Sequence, residues 1–178
     1  NEWCKANNMK FYYYIAPDKH KIYGAYMTFV PKSYPDSRSR AALWVDYIRK
    51  HSDIKVIYPL DELKKQKGKD LLYYKSDSHW NKLGGYYGYL ELMKFIKKDF
   101  PDFRQFSPTA FREETDRIGD LYAFMPHIIG KDTCKYKVPN LPDKYILPLH
   151  IVRKHYYSNP EGKYNVFVMR DSFGSDLI

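Results

Sequence analysis

The sequence predicts an α/β domain built on a mainly parallel sheet. Short apolar runs that end at proline or in polar loops alternate with segments of helical period. The 178 residues, 44% of them hydrophobic, suffice for one domain with a real core and exclude a disordered chain. No apolar run approaches the roughly 18 residues that a membrane span requires. Residues 1–178 therefore read as a single domain, without repeats or an internal linker.

The first strand is the apolar-aromatic run Met9 to Ala16, stopped by Pro17. A polar, turn-rich stretch from Ser33 leads into a helix over Ala41 to His51, where Leu43, Trp44, Tyr47 and Ile48 recur at helical spacing. Ile54 to Tyr58, stopped by Pro59, is the second strand, and Asp61 to Lys67 a short charged helix. Leu71 to Tyr74 reads as a third strand, followed by the polar loop Lys75 to Asn81. Gly84 and Gly85 then open a helix to Lys98, with Tyr86, Leu90, Met93 and Ile96 in helical period. Residues 100–125 are irregular and end in the segment GDLYAFM. Pro139, Pro142 and Pro148 break Lys135 to Val152 into short strands and loops, a small meander. The last strand, Tyr164 to Met169, runs straight into Arg170-Asp171-Ser172-Phe173-Gly174.

Thirty Lys and Arg against 21 Asp and Glu give a formal charge of +9. The lysines fall in scattered groups (Lys64, Lys65, Lys67 and Lys69; Lys94, Lys97 and Lys98) that read as solvated faces, and no nucleic-acid signature accompanies them. Nucleic acid is therefore not the expected partner; a negatively charged cell surface or an acidic polysaccharide suits the charge as well. The 19 tyrosines suit sugar stacking and ordinary packing alike. Cys4 and Cys134 match no metal spacing; they would form one disulfide in an exported protein and two thiols in a cytosolic one. The chain begins at Asn1 without an initiator Met and reads as a trimmed piece, so the missing signal peptide carries no information.

Two places carry chemistry. In Asp77-Ser78-His79-Trp80-Asn81, a carboxylate two residues from an imidazole can hold one ring nitrogen and leave the other as a base. The same residues also read as a turn in which Asp77 caps the next helix and His79 packs on Trp80. A metal site has no third ligand at a helpful spacing. The second place is Ser172, directly after an apolar strand with Gly174 close behind. That is the layout of a nucleophile turn, with the following N–H groups aimed at an oxyanion; it also reads as a plain helix cap. Together the two places supply a hydroxyl, a base and an orienting acid, each following a strand. His20 sits in a charged segment and His51 ends a helix, while His127, His150 and His155 fall in loop-rich sequence with no acidic partner at short spacing.

The stretch Tyr73 to Met93 (YYKSDSHWNKLGGYYGYLELM) resembles the Asp-x-His-Trp-Asn block of the SGNH-hydrolase-like domain in the AlgX/AlgJ alginate O-acetyltransferases and their DHHW relatives. VMRDSFGSDL is similar to the family's Ser block, and PDKHKIY and GDL to lesser landmarks, all in family order. The resemblance implies a three-layer SGNH-like fold with a mainly parallel central sheet. It also implies an extracytoplasmic enzyme that acetylates polysaccharide hydroxyls without a cofactor, and a membrane-bound acyl-transfer partner. Residue by residue, Ser172 matches the nucleophile, His79 the base and Asp77 the orienting acid. Trp80 and Asn81 match the rest of the block; with Tyr74 and Arg170 they are the candidate substrate-binding residues. Arg170 stands where the family's Ser block has Gly, which bears on the turn and its oxyanion donors. The chain stops at Ile178, so the helix expected after the nucleophile is cut short and the domain reads as C-terminally truncated. An O-acetyl esterase with the same triad and a non-catalytic polysaccharide-binding domain are the competing readings.

Overall fold

The computed structural model describes residues 1–27, 39–115, 118–129, 134–140 and 162–177. Their order is α1 (Glu2–Ala6), β1 (Tyr12–Tyr14), α2 (Lys19–Tyr23), α3 (Arg40–His51), β2 (Lys55–Ile57), α4 (Leu60–Gln66), α5 (Lys82–Asp99), β3 (Phe111–Glu114), α6 (Asp120–Phe124), α7 (Pro126–Ile129), β4 (Tyr136–Pro139) and a 3-10 turn over Ser172–Asp176.

Strands β1 and β2 pair in parallel, Tyr13 opposite Val56, and α3 crosses between them as the expected αβ alternation requires. Helix α3 starts where the Ser39 hydroxyl accepts the Ala42 N–H at 3.1 Å, and Arg49, Lys50 and His51 in its last turn favour the helix dipole. It buries Val45 and Ile48 against Val56 of β2, leaving Leu43, Trp44 and Tyr47 exposed. Strands β3 and β4 form a separate antiparallel pair, Arg112 opposite Val138. Residues 100–125 thus contain a strand where irregular structure was expected; the expected meander beyond 140 lies outside the described residues.

Two expected strands take other forms. Leu71 to Tyr74 makes a single antiparallel bridge, Tyr73 to Trp80, because groups outside any strand satisfy its main chain. The Tyr23 hydroxyl accepts the Leu72 N–H, the Asn81 N–H donates to Leu72 O at 2.8 Å, and the Asn81 side chain donates to Leu71 O at 2.6 Å. Tyr164 to Met169 joins no strand among the described residues, and Phe167 and Met169 are 87% and 86% exposed. An apolar run supplies strand propensity, but a ladder also needs a partner edge. Its start is held by side chains: Lys163 Nζ donates to Asp102 at 2.8 Å, and the Tyr164 ring lies 4.8 Å from that of Phe100. Among the described residues the parallel sheet is therefore two strands wide.

The main core gathers Ile22, Leu60, Leu63, Leu72, Tyr73, Trp80 and Leu83. Helix α5 docks on it through Leu83, Gly84, Gly85, Gly88 and Met93, so its buried stripe runs through the glycines rather than along Tyr86, Leu90 and Ile96. Gly84 permits a close approach: a Cβ there would lie 2.2 Å from the Leu72 carbonyl oxygen. At the far end of α5, Asp99 accepts from Lys55 Nζ at 2.5 Å and from the Tyr12 hydroxyl, which ties the helix to both parallel strands.

The hydrogen bonds from Lys55 and then Tyr12 hold the Asp99 carboxyl below its ordinary value. Its contribution to stability is therefore complete above the unfolded-state value near 3.8 and is lost as pH falls through the lower folded-state value. Lys55→Met is expected to cost about 1 kcal/mol at pH 7 in urea denaturation, the modest worth of a partly solvated pair, and progressively less as the pH is lowered below 3.8.

No helix among the described residues is long and apolar enough to cross a membrane. Cys4 and Cys134 are not joined in a disulfide.

Candidate active site

The loop between Tyr74 and α5 is fixed from three sides. Lys19, at the start of α2, extends its ammonium beneath it and donates to the carbonyl oxygens of Tyr74 (2.7 Å), Lys75 (2.8 Å) and Asp77 (2.9 Å). Tyr136 of β4 accepts the Lys75 N–H at 3.1 Å and meets the Tyr74 ring edge-on at 4.8 Å. Asn81 caps α5, its side-chain oxygen accepting the Gly84 N–H at 2.9 Å, and so ends the loop where the helix begins.

Within that frame Asp77 folds back on His79. Its Oδ1 accepts the His79 main-chain N–H at 3.0 Å and lies 2.6 Å from Nδ1. An ionised carboxylate can only accept, so Nδ1 carries the proton and Nε2 presents its lone pair outward. Nε2 lies 2.6 Å from Ser172 Oγ, which is exposed, whereas Asp77 is buried. Acid, imidazole and hydroxyl thus form a continuous hydrogen-bonded relay between residues up to 95 positions apart. In such a relay the imidazole takes the hydroxyl proton as Oγ attacks, and the carboxylate stabilises the resulting imidazolium.

Trp80 anchors the other half. It is fully buried, its indole N–H donates to Phe173 O at 2.9 Å, and its ring meets the Phe173 ring edge-on at 5.6 Å. The residue after the base therefore holds the residue after the hydroxyl. Asp171 shapes the turn: its Oδ1 accepts the Phe173 N–H at 3.0 Å and its carbonyl accepts the Gly174 N–H at 3.3 Å. The N–H groups following Ser172, expected to face an oxyanion, are both engaged by Asp171. The Ser172 N–H has no partner among the described residues and is the main-chain donor this turn leaves open.

Of the expected substrate-binding residues, Trp80, Asn81 and Tyr74 are buried, as tether, cap and wall respectively, and present no ring face or amide to the surface. Arg170 is exposed beside Ser172. Its stem lies across Gly174, where a Cβ would sit 2.6 Å from Arg170 Cβ, and its Nη1 donates to Ser175 Oγ at 2.8 Å. Gly174 thus makes room for the bulkier residue at 170.

Asp120 was not singled out in the sequence, although the GDL segment that contains it was. It accepts the Ser78 N–H at 2.7 Å and the Ser78 hydroxyl, and its Oδ2 lies 3.5 Å from His79 Nδ1. Burial pushes its carboxyl up, but the two hydrogen bonds from Ser78, with Asp77 and His79 beside it, together bring it below the ordinary carboxylate range. Asp77, His79 and Asp120 offer ligand atoms within 4.8 Å of one another, but 2.6 Å between Nδ1 and Oδ1 is a hydrogen bond, too short for a metal ion to bridge.

A family model for the SGNH hydrolase-like domain of acetyltransferase AlgX matches residues 2–145. The chain belongs to this family. The match includes Asp77, His79 and Asp120 but ends before Ser172, so the hydroxyl's place in the relay rests on geometry. Among solved structures, the AlgX-family domain is similar to the O-acetyltransferase domain of Pseudomonas putida AlgJ, with TM-score 0.58 and 16% identity over 81% of this chain and 54% of that one. Bacillus cereus PatB1 bearing a sulfonyl adduct follows at TM-score 0.51 and 20% identity, over 78% and 44%. A DHHW family protein from Eubacterium siraeum is similar at TM-score 0.50 and 20% identity, over 73% and 41%. The chain spans about half the length of these structures or less, and at such identities the likeness is one of fold: SGNH-hydrolase-like, with mixed helices and strands. Comparison with curated proteins gives no match.

Proposed function

We propose that this domain transfers acetyl groups to hydroxyls of a cell-surface or exported polysaccharide through an acetyl-Ser172 intermediate. The observation that carries the reading is the unbroken run Asp77 Oδ1 to His79 Nδ1 and His79 Nε2 to Ser172 Oγ, 2.6 Å at each step. Membership of a family described as acetyltransferase supports it.

The steps balance on these three residues. The Ser172 hydroxyl proton passes to His79 Nε2 as Oγ bonds to the acetyl carbonyl carbon. The tetrahedral oxyanion meets the Ser172 N–H; its collapse expels the donor's leaving group, which takes the proton from Nε2. A sugar hydroxyl then gives its proton to Nε2, attacks the acetyl carbon and leaves as the ester, and Ser172 recovers the proton. Asp77 holds the same tautomer throughout. Arg170, exposed beside the reacting oxygen, is the substrate-facing cation in this scheme. The reading places the protein outside the cytoplasm, with its acetyl donor supplied by a membrane-bound acyl-transfer partner.

Hydrolysis by the same residues is the second reading, and the solvent exposure of Ser172 favours it: water reaches the intermediate unless an acceptor displaces it. The test supplies an activated acetyl ester with and without an oligosaccharide acceptor. Transfer predicts an acetylated oligosaccharide and faster donor consumption when acceptor is present. Free acetate at the same rate in both cases identifies an esterase, and no Ser172-dependent turnover in either overturns both readings.

A further inference from the structure

We propose that Asp120 is a positioning residue for His79: with Asp77 it forms a two-carboxylate cradle that keeps the imidazole aligned on Ser172 and stabilises its charged form. The inference deepens the acyl-transfer reading and relies on it only for its kinetic arm.

The Gly119-Asp120-Leu121 turn is built against the active loop. Gly119 N–H donates to Ser76 Oγ at 3.1 Å and Leu121 N–H to Ser76 O at 3.0 Å, while Asp120 accepts both the N–H and the hydroxyl of Ser78. A Cβ on Gly119 would lie 2.2 Å from Ser76 O and 2.6 Å from Asp77 Cβ, so this approach is available to glycine alone. These contacts grip Ser76 and Ser78, the residues on either side of Asp77. They also bring a second carboxylate oxygen to 3.5 Å from Nδ1, beside the Asp77 oxygen at 2.6 Å.

The groups around the ring show why the second charge counts. From its own loop, Asp77 and Ser78 face it; from α6, Asp120; from the 3-10 turn, the Ser172 hydroxyl and the Phe173 ring at 4.6 Å. Lys19, the nearby cation, is directed at main-chain oxygens, among them that of Asp77. When Nε2 takes the Ser172 proton, the new positive charge therefore meets two carboxylates rather than one. Asp120 touches neither hydroxyl nor substrate; its part is to hold and to balance the group that does.

The test compares Asp120→Asn, which keeps an oxygen for the Ser78 N–H and loses the charge, with Asp120→Ala, which loses both. Two signals are read: the downfield proton resonance of His79 Nδ1–H, and the rate of Ser172 acylation by an activated acetyl ester. D120N is expected to lower kcat about tenfold with little change in KM, the effect of removing one adjacent countercharge. D120A is expected to lower it further and to broaden the Nδ1–H resonance, with Asp120→Glu restoring part of the rate. Wild-type kcat and an unchanged resonance in both D120N and D120A overturn the proposal. If the wild-type chain does not acylate at Ser172, the acyl-transfer reading fails. The resonance still decides this inference: broadening in D120A upholds it and an unaltered signal overturns it.

Discussion

His79→Ala is expected to reduce turnover of an activated acetyl ester by about a thousandfold or more, and adding Ser172→Ala to cost almost nothing further. The near-zero second cost is the informative part. Nε2 is 2.6 Å from Oγ, so base and hydroxyl act as one unit, and removing either removes the reactive oxygen. Asp77→Asn is a different perturbation. An amide can present its NH2 to Nδ1, which favours the tautomer with its proton on Nε2, facing Ser172. The loss should approach that of His79→Ala with the fold intact. Steady-state kinetics on these three variants and on Ser172→Ala alone checks this; separate losses that multiply in the double variant would mean that the two side chains do not work together.

Trp80→Ala is expected to destabilise the chain by about 3–5 kcal/mol, the cost of emptying a fully buried aromatic site. The indole touches the core, the wall of α5 and the nucleophile turn at once: a Cβ on Gly88 would lie 3.2 Å from its ring atoms, and its N–H holds Phe173 O. Trp80→Phe separates these roles. Most of the packing survives, so the stability loss should fall to about 1–2 kcal/mol, but the tether to Phe173 is gone and its carbonyl is left without that donor. Acylation of Ser172 should therefore drop further than the stability loss alone explains. Urea denaturation beside ester kinetics measures both; a Phe variant with wild-type acylation would show that the tether does not position the hydroxyl.

Much of the architecture was legible because its signals are local. The alternation around β1, α3 and β2 follows from apolar runs cut by Pro17 and Pro59 and from the helical spacing of Leu43, Trp44, Tyr47 and Ile48, although of these only Ile48 is buried, with Val45 beside it. The relay was legible as residue types: an acid two positions before an imidazole, and a serine at the end of an apolar run. What escaped depends on partners distant in sequence. Leu71 to Tyr74 has strand composition, yet Tyr23 and Asn81 take its main-chain groups first. Tyr164 to Met169 has the composition too, without a paired edge among the described residues. Trp80, Asn81 and Tyr74 carry chemistry that suits sugars, but the glycine face of α5 and Tyr136 enclose them. Lys19 and Asp120 were hidden because neither neighbours His79 in sequence, though PDKHKIY and GDL already marked their segments.

The account depends above all on Ser172 being more reactive than the other exposed hydroxyls because His79 faces it. Peptide mass mapping after exposure to a sulfonyl fluoride tests this without knowledge of donor or acceptor. The expected map has one sulfonyl group, on Ser172, in the wild-type chain and none there in His79→Ala. Equal labelling of Ser172 in both proteins, or label spread over surface tyrosines and lysines with Ser172 unmodified, would contradict it.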